Sequence, residues 1–503
     1  MTYSISKYKI ICSFVLFLVC VITVLSVYNV NGVGWDFISH YLNARTVASS
    51  YFYSHLYVFN NRVPMQVNVN GVNRTYNDTS ALVVNKNIYF DDVWEPLPTI
   101  IMGTLILFFD GFALPVYIVL LIAFLFVASY ITAKNLDVDP LLLSSVVAGP
   151  FIISYTILYN GNEILASSFV LLTIGFIIAK QKKAGIFAGL MGLSKYASLF
   201  LLPLILFLRK PKEILKAIFL IILVTLPWLV FNYLAYGNPL KSYFVQLAET
   251  QPQSNTIVMF LSTVFSIIKY PLAILIIGLI MITYLETSRK RNKELKLTQT
   301  IKDFLKSQKG MVTISFFILA LLEFGFVYSK TQGPIRLGYM LYLSTAVIAV
   351  VIISASSLGK LNINFSRKRY EIKDVIPYLA FSTSLILILM LYSSWMQLHF
   401  NIMGNLGFKS NQYVQAVSAL KSHNLSDCSI VSNAWPYMNY YNVTAYSPYY
   451  CNSTVLKMPV VVFNNEGVSN YCIGTTANIT NISQTFRYTN FSIYLPGNYA
   501  CVR

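Results

Sequence analysis

The stretch that decides the fold is Ile10–Tyr28, with the sequence IICSFVLFLVCVITVLSVY, which follows Lys7 and Lys9 near the N-terminus. About twenty consecutive apolar residues cross the hydrocarbon core of a bilayer as an α-helix. The run is longer than the apolar part of a secretory signal peptide, and no cleavage site of small residues follows it. It therefore predicts a retained membrane anchor, in which Cys12 and Cys20 behave as small apolar residues.

Similar apolar runs recur along the chain and predict a multi-pass membrane protein. The 503 residues are 56% hydrophobic and 11% charged, whereas a soluble domain carries about a quarter charged residues. With the N-terminus inside, the runs predict about eleven spans, so that the C-terminus lies outside. The predicted spans are 10–28, 113–133, 141–159, 164–180, 184–194, 197–208, 215–234, 270–286, 311–329, 337–358 and 375–395.

The net charge of +18 is distributed in the way that orients a membrane protein. Basic residues cluster in short segments between apolar runs, as at Arg289, Lys290 and Arg291, and such segments face the cytoplasm. No basic stripe is interleaved with aromatic residues, which argues against a nucleic-acid partner.

The composition changes at about Met396 to Asn, Tyr, Ser and Thr with few charges. The change predicts two domains: an all-α membrane domain over 1–395 and a small extracytoplasmic α/β domain over 396–503. The first outer loop of the membrane domain, 29–112, is predicted to contain interfacial helices, one of them the short apolar run 96–109. A helix is predicted over 412–421. Strands are predicted over 429–432, 455–463 and 486–495, which are rich in β-branched and aromatic residues.

Two further sequence patterns fit an extracytoplasmic tail. Eight Asn-x-Ser/Thr triplets fall outside in this topology, which predicts N-glycosylation at Asn73, Asn77, Asn424, Asn442, Asn452, Asn478, Asn481 and Asn490. Four cysteines of the tail could form two disulfides in three connectivities, or stay as free thiols. They are Cys428, Cys451, Cys472 and Cys501.

Acidic residues beside the spans are the first candidates for chemistry, because a charge at the membrane is costly. In the segment GWDFISHYLNAR, residues 34–45, Asp36 and His40 share one face of a helix. Asp36 could act as a general base at the membrane surface or cap the helix. Glu163 could orient a substrate or be an acid favoured by a helix N-terminus. Glu95 could line the cavity.

Other titratable residues give no clear assignment. Glu323 lies inside the ninth predicted span and must be neutral or paired there, so its role stays open. The four histidines, which are His40, His55, His399 and His423, show no spacing typical of metal ligands. We therefore expect no metal site.

An ordered set of segments resembles the GT-C superfamily of membrane glycosyltransferases over residues 1–395. The first outer loop starts with Asp36 shortly after the first span. The other segments that carry the resemblance are Trp94-Glu95-Pro96-Leu97-Pro98, Gly189-Leu190-Met191-Gly192-Leu193-Ser194-Lys195-Tyr196, Pro227-Trp228-Leu229-Val230-Phe231-Asn232-Tyr233 with Tyr236-Gly237-Asn238-Pro239-Leu240, and Gly333-Pro334-Ile335-Arg336-Leu337-Gly338-Tyr339.

The branch of the superfamily stays open. The Pro-rich segment after Glu95 resembles the protein O-mannosyltransferase and lipid A aminoarabinose transferase branch, but Phe37 follows Asp36 where O-mannosyltransferases usually have Asp-Glu. A single Asp followed by aromatic residues also resembles polyprenol-dependent mannosyltransferases. The Trp-Trp-Asp-Tyr-Gly signature of oligosaccharyltransferases is absent from the sequence, which argues against en bloc glycan transfer.

The resemblance implies a hexosyltransferase that moves one sugar from a polyprenyl-phosphate donor, such as a dolichyl phosphate sugar, to a glycolipid, lipid-linked oligosaccharide or protein. It implies inverting transfer at the extracytoplasmic face with Asp36 as the base, and no cofactor beyond the donor substrate. Glu163 and Glu95 would orient the acceptor or the base. Donor phosphate would be bound by Lys195, Arg336 and His40.

The sequon-rich exterior and the abundance of Ile, Tyr, Asn and Ser favour an archaeal cell membrane over an endoplasmic reticulum membrane. Two other functions are kept as alternatives. A secondary transporter would show related halves or broken helices that meet at the midplane. A cell-surface assembly protein without catalysis would tolerate loss of the acids in the first loop.

Overall fold

The computed structural model describes much of the chain, and every statement below concerns that part. The described residues are 7–31, 34–49, 65–69, 72–76, 81–84, 88–91, 95–136, 138–147, 162–244, 307–308, 310–312, 314–316, 318–319, 362–365, 368–371, 377–386, 388–389, 410–446, 458–464, 482–497, 499 and 501. Several predictions lie outside them, namely the spans 270–286 and 337–358, Arg336, Glu323, Cys451, Cys472, Asn77, Asn452, Asn478 and Asn481. The side chains of Asp36 and Asn73 lie outside as well.

Helices occupy most of the described N-terminal half of the chain; six of them overlap predicted spans, and the two within 35–109 fall in the predicted first outer loop. They are α1 (Lys7–Asn31), α2 (Trp35–Ser49), α3 (Pro96–Phe109), α4 (Ala113–Leu136), α5 (Pro140–Val147), α6 (Asn162–Ile178), α7 (Ala184–Ser194) and α8 (Pro211–Tyr236). Among the described residues, three stretches are long and apolar enough, by length and composition, to cross a membrane: Lys7–Tyr28, Pro96–Leu136 and Pro211–Leu234. The expected multi-pass helical architecture is thereby supported, while the number of eleven spans stays a prediction.

The stretch Pro96–Leu136 differs from the expectation of a separate interfacial helix before the second span. Its helices α3 and α4 are joined only by a 3-10 turn, Asp110–Phe112, and the 41 residues together form one apolar helical stretch. Exposed apolar side chains continue through the joint, since Phe108 and Phe112 are 77% and 76% exposed. The placement of α3 at the interface stays a prediction.

The predicted span at 197–208 is a 3-10 helix, Tyr196–Leu208, rather than an α-helix. A 3-10 helix rises about 2.0 Å per residue, so these 13 residues reach about 26 Å, against about 20 Å as an α-helix. Runs of this length are uncommon. Pro203 lies within it and supplies no backbone N–H. The tighter winding lets a segment that is short for a span cover most of the thickness of a bilayer core.

Glycines let α7 and α8 pack closely. A Cβ on Gly185 would lie 2.2 Å from the backbone oxygen of Ala217, and one on Gly189 would lie 3.0 Å from Val224. Small residues four apart on a helix allow such an approach between membrane helices. The contact fixes α7 against α8, and α7 ends at Ser194 directly before Lys195.

Gly185→Val is therefore expected to destabilise the protein by about 1–3 kcal/mol, because the added atoms overlap the backbone of α8 and force the helices apart. The measurement is the midpoint of thermal unfolding in detergent. Gly111→Val is the matched control, since nothing lies within 4 Å of a Cβ at Gly111. Equal midpoints for the two variants would contradict the packing described here.

By internal packing the chain divides into two units, each of which is described by itself. The first unit comprises Met1–Tyr28, Glu95–Pro98 and Pro115–His399, and the second comprises Asn29–Trp94, Thr99–Leu114 and Phe400–Arg503. The division into domains 1–395 and 396–503 stays a prediction. The second unit contains α2 together with 400–503, which is nearly all of the predicted tail.

The tail contains a five-stranded mixed sheet with two helices. Its elements are α9 (Ser410–Ser422), β7 (Ile430–Ser432), α10 (Trp435–Tyr440), β8 (Ala445–Tyr446), β9 (Val460–Phe463), β10 (Ile482–Arg487) and β11 (Phe491–Pro496). The predicted helix 412–421 overlaps α9, and the predicted strands 429–432 and 455–463 overlap β7 and β9. The predicted strand 486–495 is not one strand, because it includes the end of β10, the turn at 488–490 and most of β11. Strand β7 pairs in parallel with β8 and β9, whereas β9, β11 and β10 pair antiparallel. The order of strands in the sheet is β10-β11-β9-β7-β8. Among the described residues, three two-stranded hairpins lie elsewhere: β1 (Met65–Val69) with β2 (Val72–Tyr76), β3 (Ala81–Val84) with β4 (Ile88–Asp91), and β5 (Asn362–Phe365) with β6 (Lys368–Glu371).

A disulfide joins Cys428 to Cys501 across 73 residues of the tail. Of the three connectivities open from the sequence, this pairing is compatible only with a second bridge between Cys451 and Cys472. Among the predicted glycosylation sites, Asn424 and Asn442 are exposed.

Candidate functional site

A buried ion pair joins two of the residues singled out in the sequence. Lys195 Nζ lies 2.7 Å from Glu163 Oε1, and the two side chains are 3% and 1% exposed. Glu163 belongs to the first turn of α6. Lys195 is extended, with φ −158° and ψ 114°, and separates α7 from the 3-10 helix. The break in the helix therefore brings the ammonium group of Lys195 to the N-terminal end of α6.

Glu95 joins three chain segments beside this pair. Its Oε1 accepts a hydrogen bond from the backbone N–H of Tyr196 (3.3 Å), and its Oε2 accepts one from Asn162 Nδ2 (3.4 Å). Tyr196 is the first residue of the 3-10 helix, where backbone N–H groups have no partner within the helix. Glu95 thus holds the segment before α3 to the start of α6 and to the joint at Lys195.

The cluster Glu95, Asn162, Glu163, Lys195 and Tyr196 continues into the segment at the end of α8. Trp228 Nε1 donates a hydrogen bond to Tyr196 Oη (2.9 Å). The chain after α8 folds back on the helix. Ser242 there donates two hydrogen bonds to Asn232 Oδ1, one from its hydroxyl (2.6 Å) and one from its backbone N–H (3.2 Å). Three of the motif segments quoted above, 94–98, 189–196 and 227–233, are in this way linked through side-chain contacts.

The cluster has two carboxylates and one ammonium, a formal charge of −1. Buried charges must be paired and hydrogen-bonded, and here Glu95, Glu163 and Lys195 are each 3% exposed or less. Such an arrangement can accept hydrogen bonds from hydroxyl groups and stabilise positive charge. Among the described residues no group of three or more His, Cys, Asp or Glu lies together as metal ligands would.

Helix α2 carries Asp36 and His40 and is buried around most of its circumference. Gly34 O accepts a hydrogen bond from Ile38 N–H (3.1 Å), so Gly34 occupies the N-cap position and Asp36 lies within the first turn rather than at the cap. Positions 36, 40 and 43 fall within about 60° of one another around the helix. His40 and Asn43 are 0% and 1% exposed.

Asn43, Asn162 and Tyr196 were not predicted as site residues from the sequence. The signal for Asn43 was its place seven residues after Asp36, which continues the same helix face. Nothing in the sequence marked Asn162 beyond its position next to Glu163. Tyr196 closed a quoted motif, but its hydrogen bond to Trp228 joins residues 32 apart.

The predicted site residues thus fall into three groups. The structure brings Glu95, Glu163 and Lys195 together in the first unit. Asp36 and His40 lie on α2, in the second unit. Arg336 lies outside the described residues.

Comparisons with known proteins give a structural match without a sequence match. No family model and no curated protein matches the chain. Among solved structures, the crystal structure of ArnT from Cupriavidus metallidurans bound to undecaprenyl phosphate is similar, with a TM-score of 0.56 and 9% identity over 99% of this chain and 100% of that chain. ArnT is a GT-C aminoarabinose transferase, so the GT-C-like fold expected from the sequence is supported. The apolar helices and this fold together identify an integral membrane protein.

Proposed function

We propose that this chain is a membrane glycosyltransferase that moves a single sugar from a polyprenyl-phosphate donor to an acceptor with inversion. The observation that carries the proposal is the buried cluster of Glu95, Glu163 and Lys195 at the ends of α6 and α7, within a fold shared with a protein that was solved bound to undecaprenyl phosphate. A costly group of buried charges at helix ends of a membrane protein is typical of a substrate site.

Inverting transfer requires a base, and Asp36 is assigned that role. As the acceptor hydroxyl attacks the anomeric carbon, the hydroxyl proton passes to the base, the sugar–phosphate bond breaks, and the lipid phosphate leaves with the bonding electrons. Supporting observations are that Asp36 lies in the first turn of a largely buried helix and shares its face with His40 and Asn43. A base there would be oriented by its helix rather than by a mobile loop.

Glu163 and Glu95 are proposed to orient the acceptor or the base. Glu95 does so through the chain, because it fixes the joint at Tyr196 and the side chain of Asn162. Glu163 offers a buried carboxylate whose Oε1 is held by Lys195. A carboxylate held in this way accepts a hydrogen bond from a sugar hydroxyl without first having to be ordered.

Donor phosphate is proposed to bind Lys195, Arg336 and His40. A lipid phosphate leaving group needs positive charge but no strong acid, and Arg suits a bidentate phosphate contact. Lys195 already contacts Glu163 at 2.7 Å, so it would serve phosphate and carboxylate together, as a bridge between donor and acceptor subsites. No metal or other cofactor enters the proposal.

The finer assignments are also proposals. The sugar is a hexose such as mannose, and the acceptor is a glycolipid, lipid-linked oligosaccharide or protein at the extracytoplasmic face of an archaeal cell membrane. The tail 396–503 is proposed to be a glycosylated α/β domain on the same, extracytoplasmic face of the membrane. Exposed Asn424 and Asn442 support glycan attachment there, because a glycan needs a solvent-facing amide.

The test is transfer by purified protein in nanodiscs, with radiolabelled polyprenyl-phosphate mannose or glucose as donor and a membrane-lipid extract or sequon-free membrane protein as acceptor. We expect label to move to the acceptor and to depend on the polyprenyl phosphate, because the free sugar lacks the leaving group. Uptake of labelled solute into proteoliposomes, without transfer from any donor, would overturn the proposal in favour of a transporter.

A further inference from the structure

The side of α2 opposite to Asp36 contacts the tail. At 3.6 residues per turn, Tyr41 and Arg45 lie about 140–180° around the helix from position 36. The ring of Tyr41 meets the ring of Tyr440 edge-on, with centroids 5.5 Å apart and planes at 71°. Arg45 Nη1 donates a hydrogen bond to Asn442 Oδ1 at 3.4 Å. All four residues belong to the second unit.

The two tail residues belong to a well-braced part of the tail. Tyr440 is the last residue of α10, and Asn442 follows in a tight turn with φ +62°. The turn is closed by Asn439, whose Nδ2 donates to Ala445 O (2.7 Å) and whose Oδ1 accepts from Ala445 N–H (3.3 Å). Helix α10 is therefore hydrogen-bonded directly to strand β8.

The core of the tail braces α10 from its other side. The ring of Tyr437 stacks on the ring of Tyr413 from α9, with centroids 4.0 Å apart, and both side chains are buried. Tyr413 also packs against Phe463 of β9 at 4.9 Å. Helix α10 is thus packed against α9 and, through it, the sheet, which limits how far a residue at the end of α10 can shift.

We propose that Tyr440 and Asn442 are positioning residues, through which the tail fixes the rotation of α2 about its axis and with it the face of Asp36, His40 and Asn43. The consequence for catalysis rests on the proposed function. The tail then acts from behind the helix that bears the base, so that loss of its contact changes turnover without removing any group that touches substrate.

Asn442 also begins a sequon, Asn442-Val443-Thr444, and the geometry allows both roles. A glycan is joined to the amide nitrogen, whereas the contact with Arg45 uses Oδ1. Contact and modification can therefore be separated by mutation. Asn442→Gln removes the sequon and displaces the amide oxygen, whereas Thr444→Val removes the sequon and leaves Asn442 in place.

The test compares Tyr440→Ala, Tyr440→Phe, Asn442→Gln and Thr444→Val in the full-length protein in nanodiscs. Hydrogen–deuterium exchange of the amides in 35–49 reports on α2 whether or not the enzyme assay succeeds. We expect exchange in α2 to be about tenfold faster in Tyr440→Ala, because a packed contact is lost. We expect kcat to fall about 10–100-fold with an unchanged KM for donor, since a misplacement of about 1 Å can cost about 100-fold.

Tyr440→Phe keeps the ring, so its exchange rate in α2 and its kcat should be close to those of wild type. Thr444→Val should also match wild type. Asn442→Gln should show the same changes as Tyr440→Ala, but smaller. Tyr488→Ala is the control, because this exposed tail tyrosine packs on Phe491 and bonds to His423 rather than to α2. Unchanged exchange in α2 for Tyr440→Ala, or equal loss in Tyr440→Phe, would overturn the proposal. Faster exchange in a protein that transfers no sugar would support the positioning of α2 and overturn the proposed function instead.

Discussion

Replacement of Asp36 by asparagine is expected to lower the rate of sugar transfer by about 10²–10⁴-fold, the range that a positioned general base contributes. Asparagine has nearly the same shape as aspartate but cannot take the proton of the acceptor hydroxyl. Binding of the polyprenyl-phosphate donor should persist, because the loss concerns a group that acts on the acceptor in the transition state. The measurement is kcat with radiolabelled donor, beside donor affinity by equilibrium binding.

Asp110→Asn is the matched control for this prediction. Asp110 is an exposed acid in the 3-10 turn between α3 and α4, with φ +42°, a conformation that Asn also adopts readily. The same change of charge there should leave kcat within about twofold of wild type. An Asp36→Asn enzyme with wild-type kcat would exclude Asp36 as the base but leave the transferase assignment standing.

Replacement of Lys195 by methionine is expected to give the largest loss of stability, about 3–5 kcal/mol, because Glu163 would stay buried without the ammonium group that lies 2.7 Å from it. Methionine keeps a long apolar side chain, so little packing is lost. The measurement is the unfolding free energy or thermal midpoint in detergent. Transfer activity at a temperature where the variant is folded should also fall, since Lys195 is proposed to bind donor phosphate.

Two variants separate the loss of pairing from other effects. Lys216→Met removes a surface pair, in which Lys216 and Glu213 lie 3.1 Å apart and are 41% and 26% exposed, and should cost about 0–1 kcal/mol. The double variant Lys195→Met with Glu163→Gln removes both charges and should recover most of the stability but not the activity. Equal costs for Lys195→Met and Lys216→Met would contradict the assignment of a buried pair.

The roles of the cluster residues follow from this difference between stability and activity. Glu95 contacts a backbone N–H and an amide, so it is expected to act on the geometry of the site. Lys195 and Glu163 are charged, buried and joined to each other, so replacement of either is expected to disturb both the packing of α6 and α7 and the proposed transfer. The protein therefore keeps two charges at helix ends that an apolar pair could replace with equal or better stability, and that cost is typical of a functional site.

The helices were predictable because an apolar run carries its own signal. The apolar side chains of 10–28 and 215–234 must be kept from water, in the protein interior or in lipid, whatever the rest of the chain does. The structure has helices there, at Lys7–Asn31 and Pro211–Tyr236. The tail was predictable in part, since strands at Val460–Phe463 and Phe491–Pro496 are rich in β-branched and aromatic residues. The 3-10 winding of Tyr196–Leu208 had no such signal, because hydrophobicity alone does not distinguish it from an α-helix.

The sequence by itself determined a multi-pass helical membrane protein, the motif order of a GT-C-like fold and the candidate acids, because these depend on local composition and spacing. Only the tertiary structure decided that Lys195 meets Glu163, that Glu95 bonds to Tyr196, and that Tyr440 of the tail packs against Tyr41 of α2. The residues in these contacts are 32, 101 and 399 positions apart in the sequence, respectively. Pairings over such distances depend on how helices pack, which no local pattern encodes.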